Sequence, residues 1–537
     1  MKLTYQGLQD KAAWQKLGIK LPSYDVEAVS KATVAAPRWV HLGIGNIFRI
    51  FLGGIADKLI GEGLLDKGIT CVETFDYDVV DKIYAPHDNL VLAATLHSNG
   101  KRDLAVLGSL CEAIKAQSGN AQSTKRLKEI FTAPSLQLVS FTITEKGYAL
   151  RGSDGTYLPY VQKDIEQGPQ QATGAMGVVT ALLYERFQNG ATPLALVSMD
   201  NVSQNGKKLR ESVITMAQEW QQRGLVTAEF VAYVSDESKV SFPWSMIDKI
   251  TPRPSEAVAA DLKAMGIEDM DVVVTSKKTY IAPFVNAEGP QYLVVEDNFP
   301  NGRPQLEKAG VYMTDRNTVN LSERMKVTVC LNPVHTALCT YDCLLGYEFF
   351  ADGMKDPDLD RLGRRLAYVE GLPTVEDPRI LSPKAFLDEL WSERFPNVYM
   401  GDTSARIATD ISQMVGIRFG HTIQAYLDKD GNTDALIAEP LAIAGWMRYL
   451  LAVDDQGKSF ELSPDPMLKE LTAQLGEVKF GQPQSVGQHL RPILSNANIF
   501  GLDLYKAGLG ERIETMVSEM LAGPGAVRRT LQKYLPA

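Results

Sequence analysis

Apolar and polar positions divide the chain into an alternating first part and a helical last part. Residues 1–36 form a polar lead-in with one short helical pattern, and the pattern changes at Pro37. Trp39-Val40-His41-Leu42 is a short apolar run of the kind a buried strand requires. Gly43-Ile44-Gly45-Asn46-Ile47-Phe48-Arg49 follows, helical spacing continues to about Asp66 and stops at Gly68, and 69–74 reads as a second strand. That is a βαβ unit with a glycine turn at its first strand-to-helix junction. Further strands are expected at 136–143, Leu194–Ser198 and 271–275, with helices at 175–187 and 208–223, and 280–298 supplies an additional strand around Tyr292–Glu296. Strands alternating with helices predict a parallel sheet covered on both faces.

After about Asn317 the strand signals fade. Long periodic apolar segments replace them at 333–347, 357–369, 383–391, 403–415, 435–451 and 464–475. The predicted fold is therefore α/β: a Rossmann-type N-terminal domain with extra strands (1–315) and a mostly α-helical C-terminal domain (316–537). The turn and breaker residues of Asn298-Phe-Pro-Asn-Gly-Arg-Pro304 mark the expected boundary, and the cleft between the domains is the expected ligand site.

Length agrees with this division, because 537 residues exceed what a single core organises. A net charge of −10 and a pI near 5.3 disfavour phosphate backbones and anionic lipid, so neither nucleic acid nor membrane is an expected partner. An anionic substrate would need local positive charge against that field. No apolar run approaches the ~20 residues of a membrane span, and the N-terminus has no signal-peptide pattern. Five sparse cysteines, an odd number with no C-x2-C pair, fit free thiols in a reducing cytoplasm. Nothing in the pattern specifies an oligomer.

The glycine turn suggests dinucleotide chemistry. Gly43 and Gly45 permit a sharp turn and close approach of a diphosphate to a helix N-terminus. Phe48 stands where the third glycine of G-x-G-x-x-G belongs, so taken alone the turn also fits an ordinary tight loop. An acid ending the second strand should meet the ribose hydroxyls; Glu73 and Asp76 are the candidates, and either favours NAD over NADP.

A second cluster is Glu323-Arg-Met-Lys326-Val-Thr-Val-Cys-Leu-Asn332-Pro-Val-His335. A lysine in an apolar stretch loses pKa on burial and can then exchange a proton with an alcohol as hydride moves. Asn332 could donate to the developing alkoxide, and His335 could hold the substrate oxygen. The same residues also read as an N-cap Asn332 before Pro333, with Lys326 snorkelling to solvent. His335, Cys339 and Cys343 share a helix face but span about 12 Å along the axis, too far for one zinc, so no metal is expected.

Five segments stand in order: His41-Leu-Gly-Ile-Gly-Asn-Ile-Phe-Arg49, Thr142-Ile-Thr-Glu-Lys-Gly-Tyr148, Ser198-Met-Asp-Asn201-Val-Ser-Gln-Asn205-Gly206, Phe242-Pro-Trp-Ser-Met-Ile-Asp248-Lys-Ile-Thr-Pro252, and the K-x5-N-x2-H set Lys326, Asn332 and His335. Together they resemble the long-chain mannitol dehydrogenase family. Asp402-Thr-Ser-Ala-Arg406 is a weaker sixth. The resemblance implies a metal-independent NAD-dependent dehydrogenase, with Phe48 and Arg49 part of the cofactor loop. Lys326 would be the general acid/base, Asn201 and Asn332 the oxyanion-stabilising pair, and Glu323 a proton relay to solvent. His335 and Asp248 would bind substrate hydroxyls, with Arg406 nearby. Pro333 departs from the family pattern, where a small non-proline residue is expected.

Other dehydrogenase designs fit less well. No tyrosine has a lysine four positions later, and no Cys/His set makes a catalytic zinc site. A small-molecule sugar acid or sugar alcohol is the expected substrate, first fructuronate reduced to D-mannonate, with Lys146 and Arg406 as partners for its carboxylate. Mannitol–fructose interconversion is the alternative, as is an epimerase that retains NAD.

Overall fold

Six short strands build the central sheet: β1 (Trp39–Leu42), β2 (Ile69–Glu73), β3 (Leu110–Lys115), β4 (Leu138–Phe141), β5 (Leu194–Ser198) and β6 (Val240–Ser241). Their spatial order is β3-β2-β1-β4-β5-β6 and every pairing is parallel. This is the doubly wound order of dinucleotide-binding sheets. β1 and β2 are buried at every position, as strands covered on both faces must be. Successive side chains alternate between two apolar cores: Trp39, Ile69 and Leu138 pack with the helix after β1, while Val40, Leu42 and Val139 pack with the helices Ala121–Thr132, Ala175–Gln188 and Asn205–Gln222.

The computed structural model describes residues 1–537 and divides into two units, Met1–Asn320 and Leu321–Ala537. The division falls a few residues beyond the expected 315/316, within the helical run that starts at Arg316. The breakers at 298–304 end a strand rather than the unit.

Several expectations need correction. The segment 271–275 is no central strand: only Val273–Val274 is extended, in an antiparallel pair with Tyr280–Ile281. The sheet takes β3 and β6 instead. Both were hidden by weak patterns, since β3 mixes buried and half-buried positions without a regular period and β6 has only two residues. A hairpin of Val91–Leu96 and Arg102–Leu107, also unforeseen, pairs with Phe284–Glu288 in a side sheet. Tyr292–Glu296 is a strand as expected, between Ser245–Asp248 and Tyr312–Thr314.

The second unit is helical, with only isolated bridges such as Phe349 to Thr403. Its central helix Asn332–Leu345 packs on Ala438–Tyr449, which is buried along its whole length. The segment 403–415 is not one helix but two short turns, Ser404–Ile407 and Ile411–Gln413. In the C-terminal tail, the amphipathic helices Gly510–Met520 and Ala526–Tyr534 complete the core.

Candidate active site

In the first unit the strand order reverses between β1 and β4, and ligands of such sheets bind beyond the carboxyl ends of the strands at that point. The loops after β1 and β4 touch there. Gly43 has φ +88°, and a Cβ on it would lie 2.2 Å from the Thr142 carbonyl oxygen, so no side chain fits. Gly45 differs: a Cβ there would meet nothing within 4 Å. The first helical bond runs from the Arg49 N–H to the Gly45 carbonyl, leaving the N–H groups just inside the helix start without helical partners. Open space over a helix N-terminus is what a dinucleotide diphosphate requires.

Phe48 explains the missing third glycine. Its ring stacks on His41 with centroids 3.9 Å apart and planes 4° from parallel. His41 is fully buried and ties the two loops together. The Trp39 indole N–H donates to Ser140 Oγ (2.7 Å), which lies 2.6 Å from His41 Nδ1; His41 Nε2 lies 2.9 Å from Thr142 Oγ1, whose hydroxyl donates to the Gly43 carbonyl (2.8 Å). One proton assignment satisfies the whole series, with His41 neutral and Nε2 protonated. Burial pushes the His41 pKa down to about 3.

Phe48 and Arg49, expected to contact cofactor, are both wholly buried and shape the loop from beneath. Arg49 donates through Nη1 to the Ala282 carbonyl (2.7 Å), while its Nε and Nη2 have no partner. Burial lowers its pKa. Glu73 ends β2 as expected, but its carboxylate is already engaged. Oε1 accepts from the N–H groups of Thr74, Phe75 and Asp76, and Oε2 accepts from that of Ile44 (3.4 Å). Burial raises its pKa against these bonds. Asp76 is buried and accepts from the Thr275 hydroxyl (2.6 Å). Neither carboxylate is exposed; the exposed residue between them is Phe75.

The D-N-x-x-x-N-G element is a clamp. Asp200 accepts from the N–H groups of Ile143 and Thr144 and from the Tyr148 hydroxyl (2.6 Å), fixing the Thr-Glu-Lys-Gly-Tyr turn. Burial raises its pKa. Asn205 is buried and bonds both the backbone and the hydroxyl of Ser245. Gly206 leaves room for the backbone of Phe242 and Pro243, whose carbonyls a Cβ would approach to 2.7 and 2.9 Å. Between these anchors Asn201 is exposed. Asp248 is buried at the end of the Ser245–Asp248 strand, opposite Tyr292. Lys146 is exposed on the short helix Thr144–Tyr148.

In the second unit Lys326 is only 2% exposed. It opens a π turn, Lys326–Cys330, after which Leu331 interrupts the helix and Asn332–Leu345 begins. On a regular helix six residues rotate the chain by about 600°, which would turn Asn332 away from Lys326. The wide turn and the break at Leu331 change that phase; such turns concentrate at functional positions. Asn332 does not act as an N-cap, because Leu331 holds that position and no side chain caps the helix. Its amide is half-buried. His335 rests against Phe350 (4.7 Å, planes at 90°) and Phe395 (5.2 Å). Glu323 is half-buried one turn before Lys326. Arg406 is exposed and ion-paired to Asp402. Burial raises the Cys339 and Cys343 thiols, the latter to about 12. No group of three His, Cys, Asp or Glu side chains is arranged to hold a metal ion.

Two family models match most of the chain, the mannitol dehydrogenase Rossmann domain over residues 37–308 and the mannitol dehydrogenase C-terminal domain over 319–521. This chain belongs to the mannitol dehydrogenase family. It is 49% identical to the D-mannonate oxidoreductase of Thermotoga maritima over 100% of this chain and 99% of that one. Mannitol 2-dehydrogenase of Aspergillus fumigatus is 28% identical, with coverage of 100% and 99%. Among solved structures, Pseudomonas fluorescens mannitol 2-dehydrogenase, in a ternary complex with NAD and D-mannitol, matches with TM-score 0.70 and 27% identity, covering 100% of this chain and 99% of that one. In this dehydrogenase His41, Asp200, Tyr148 and Asn205 lie in the quoted segments without an assigned role, and Ser140 lies outside them. A histidine inside a four-residue buried strand was the available signal, because a buried polar side chain must find partners.

Proposed function

We propose that this dehydrogenase interconverts fructuronate and D-mannonate with NAD(H), Lys326 serving as general acid and base. The observation that carries the substrate is the 49% identity, end to end, with a D-mannonate oxidoreductase, against 28% for a mannitol 2-dehydrogenase. Burial of Lys326 and the uncommitted amide of Asn332 support the proton and oxyanion roles.

Gly43 and Gly45 hold the diphosphate against the helix start, and the negative charge kept at the end of β2 by Glu73 disfavours an additional ribose phosphate. Bound NADH supplies the hydride that the keto carbon accepts. Lys326 gives its ammonium proton to the carbonyl oxygen, so the alcohol forms and the amine is left neutral; Glu323 returns a proton from solvent. Asn201 and Asn332 donate N–H groups to the oxygen while it carries negative charge. His335, braced by two phenylalanines, and Asp248 fix the substrate hydroxyls.

Oxidation of NADH followed with fructuronate, tagaturonate and fructose tests the substrate. Fast turnover with fructuronate and little with fructose is expected; preference for fructose would make the enzyme a polyol dehydrogenase. Lys326→Ala should lower kcat by about 10²–10⁴-fold with NADH affinity unchanged. Near-normal kcat in that variant would remove the lysine mechanism.

A further inference from the structure

We propose that Arg418 receives the carboxylate of the sugar-acid substrate. The inference rests on the sugar-acid reading above and names the cation that reading requires.

An acidic chain must supply that charge locally. Of the two cations expected from sequence, Arg406 is exposed and ion-paired to Asp402, and Lys146 is exposed on a short surface helix. Arg418 is half-buried, and its only hydrogen bond runs from Nη1 to Thr336 Oγ1. No carboxylate pairs with it. Burial pulls its pKa down to about 10, so it remains charged at neutral pH. A guanidinium is planar and always presents a fork of donors matched to a carboxylate, and partial desolvation strengthens such a bond.

The position is built. Arg418 is the middle residue of the π turn Gly416–Gly420. Both ends of that turn press on one neighbour: a Cβ at Gly416 would lie 2.8 Å from the Ile499 carbonyl oxygen, and one at Gly420 would lie 2.0 Å from that of Phe500. Two residues from either end, Arg418 projects from roughly the opposite side, towards the helix Asn332–Leu345. Its partner Thr336 directly follows His335, and the Gly416–Gly420 turn packs on the Lys326–Cys330 turn. The fork is thereby fixed beside the elements that carry Lys326, Asn332 and His335, where the far end of an open-chain substrate needs a cation.

The test compares kcat/KM for fructuronate with kcat/KM for fructose in the wild type, Arg418→Gln and Arg418→Lys. The ratio is expected to fall about 100-fold in Arg418→Gln, through KM for fructuronate, and about 10-fold in Arg418→Lys, which keeps the charge and loses the fork. NADH affinity and the melting temperature report whether the variants are folded; if Arg418→Gln is not, Arg418→Lys decides. An unchanged ratio, or an equal loss with both substrates, overturns the proposal. A wild type that reduces fructose and ignores fructuronate overturns the sugar-acid reading and this inference together. Activity on fructuronate with an unchanged ratio leaves that reading standing and overturns only the role of Arg418.

Discussion

At the residue scale, the junction of β1 and β4 depends on one neutral histidine. His41 bonds in both directions only while Nδ1 is free to accept from Ser140, and its pKa in the folded state is about 3 against about 6.5 unfolded. Above pH 6.5 both states are neutral and the contribution is intact. As pH falls from 6.5 towards 3, the unfolded chain binds a proton that the folded chain refuses, so stability is lost by several kcal/mol. Urea unfolding between pH 7 and pH 4 should fall more steeply in the wild type than in His41→Gln, which starts lower. Parallel slopes would show that the proton is accommodated elsewhere. Sequence showed only a polar side chain in an apolar run; its partners, Ser140 and Thr142, are supplied by a distant segment.

At the element scale, two glycines two residues apart do different work. Gly43→Ala places a Cβ against the Thr142 backbone at a positive φ, so a loss of about 2–4 kcal/mol of stability is expected, measured by denaturant unfolding. Gly45→Ala meets no protein atom and should fold normally while raising KM for NAD about tenfold or more. If Gly45→Ala binds NAD as the wild type does, the diphosphate does not lie over that turn. The motif was legible because glycine spacing is local. The π turns at Lys326–Cys330 and Gly416–Gly420 were not, since a helix-period pattern does not reveal one extra residue in a turn.

At the scale of the whole molecule, stability and chemistry are expected to respond to dinucleotide and to ignore chelators. NAD at 100 times its Kd stabilises the folded state by about 2.7 kcal/mol, which should raise the melting temperature. Dialysis against EDTA should leave turnover intact if Lys326 is the acid and base proposed above; loss of activity restored by a divalent ion would reverse that assignment. Sequence by itself determined the fold class and the two-part organisation, and it nominated the candidate reactive set. Those features are written in periodicity, glycine spacing and ordered motifs, all carried by neighbours along the chain. Tertiary structure decided which carboxylates are already committed: Glu73 to the turn it caps, Asp200 to the loop after β4, Asp402 to Arg406. It also left Arg418, bonded to Thr336, without an acid. Hydrogen-bond capacity is a property of the partners that packing brings within reach, and distant segments supply those partners.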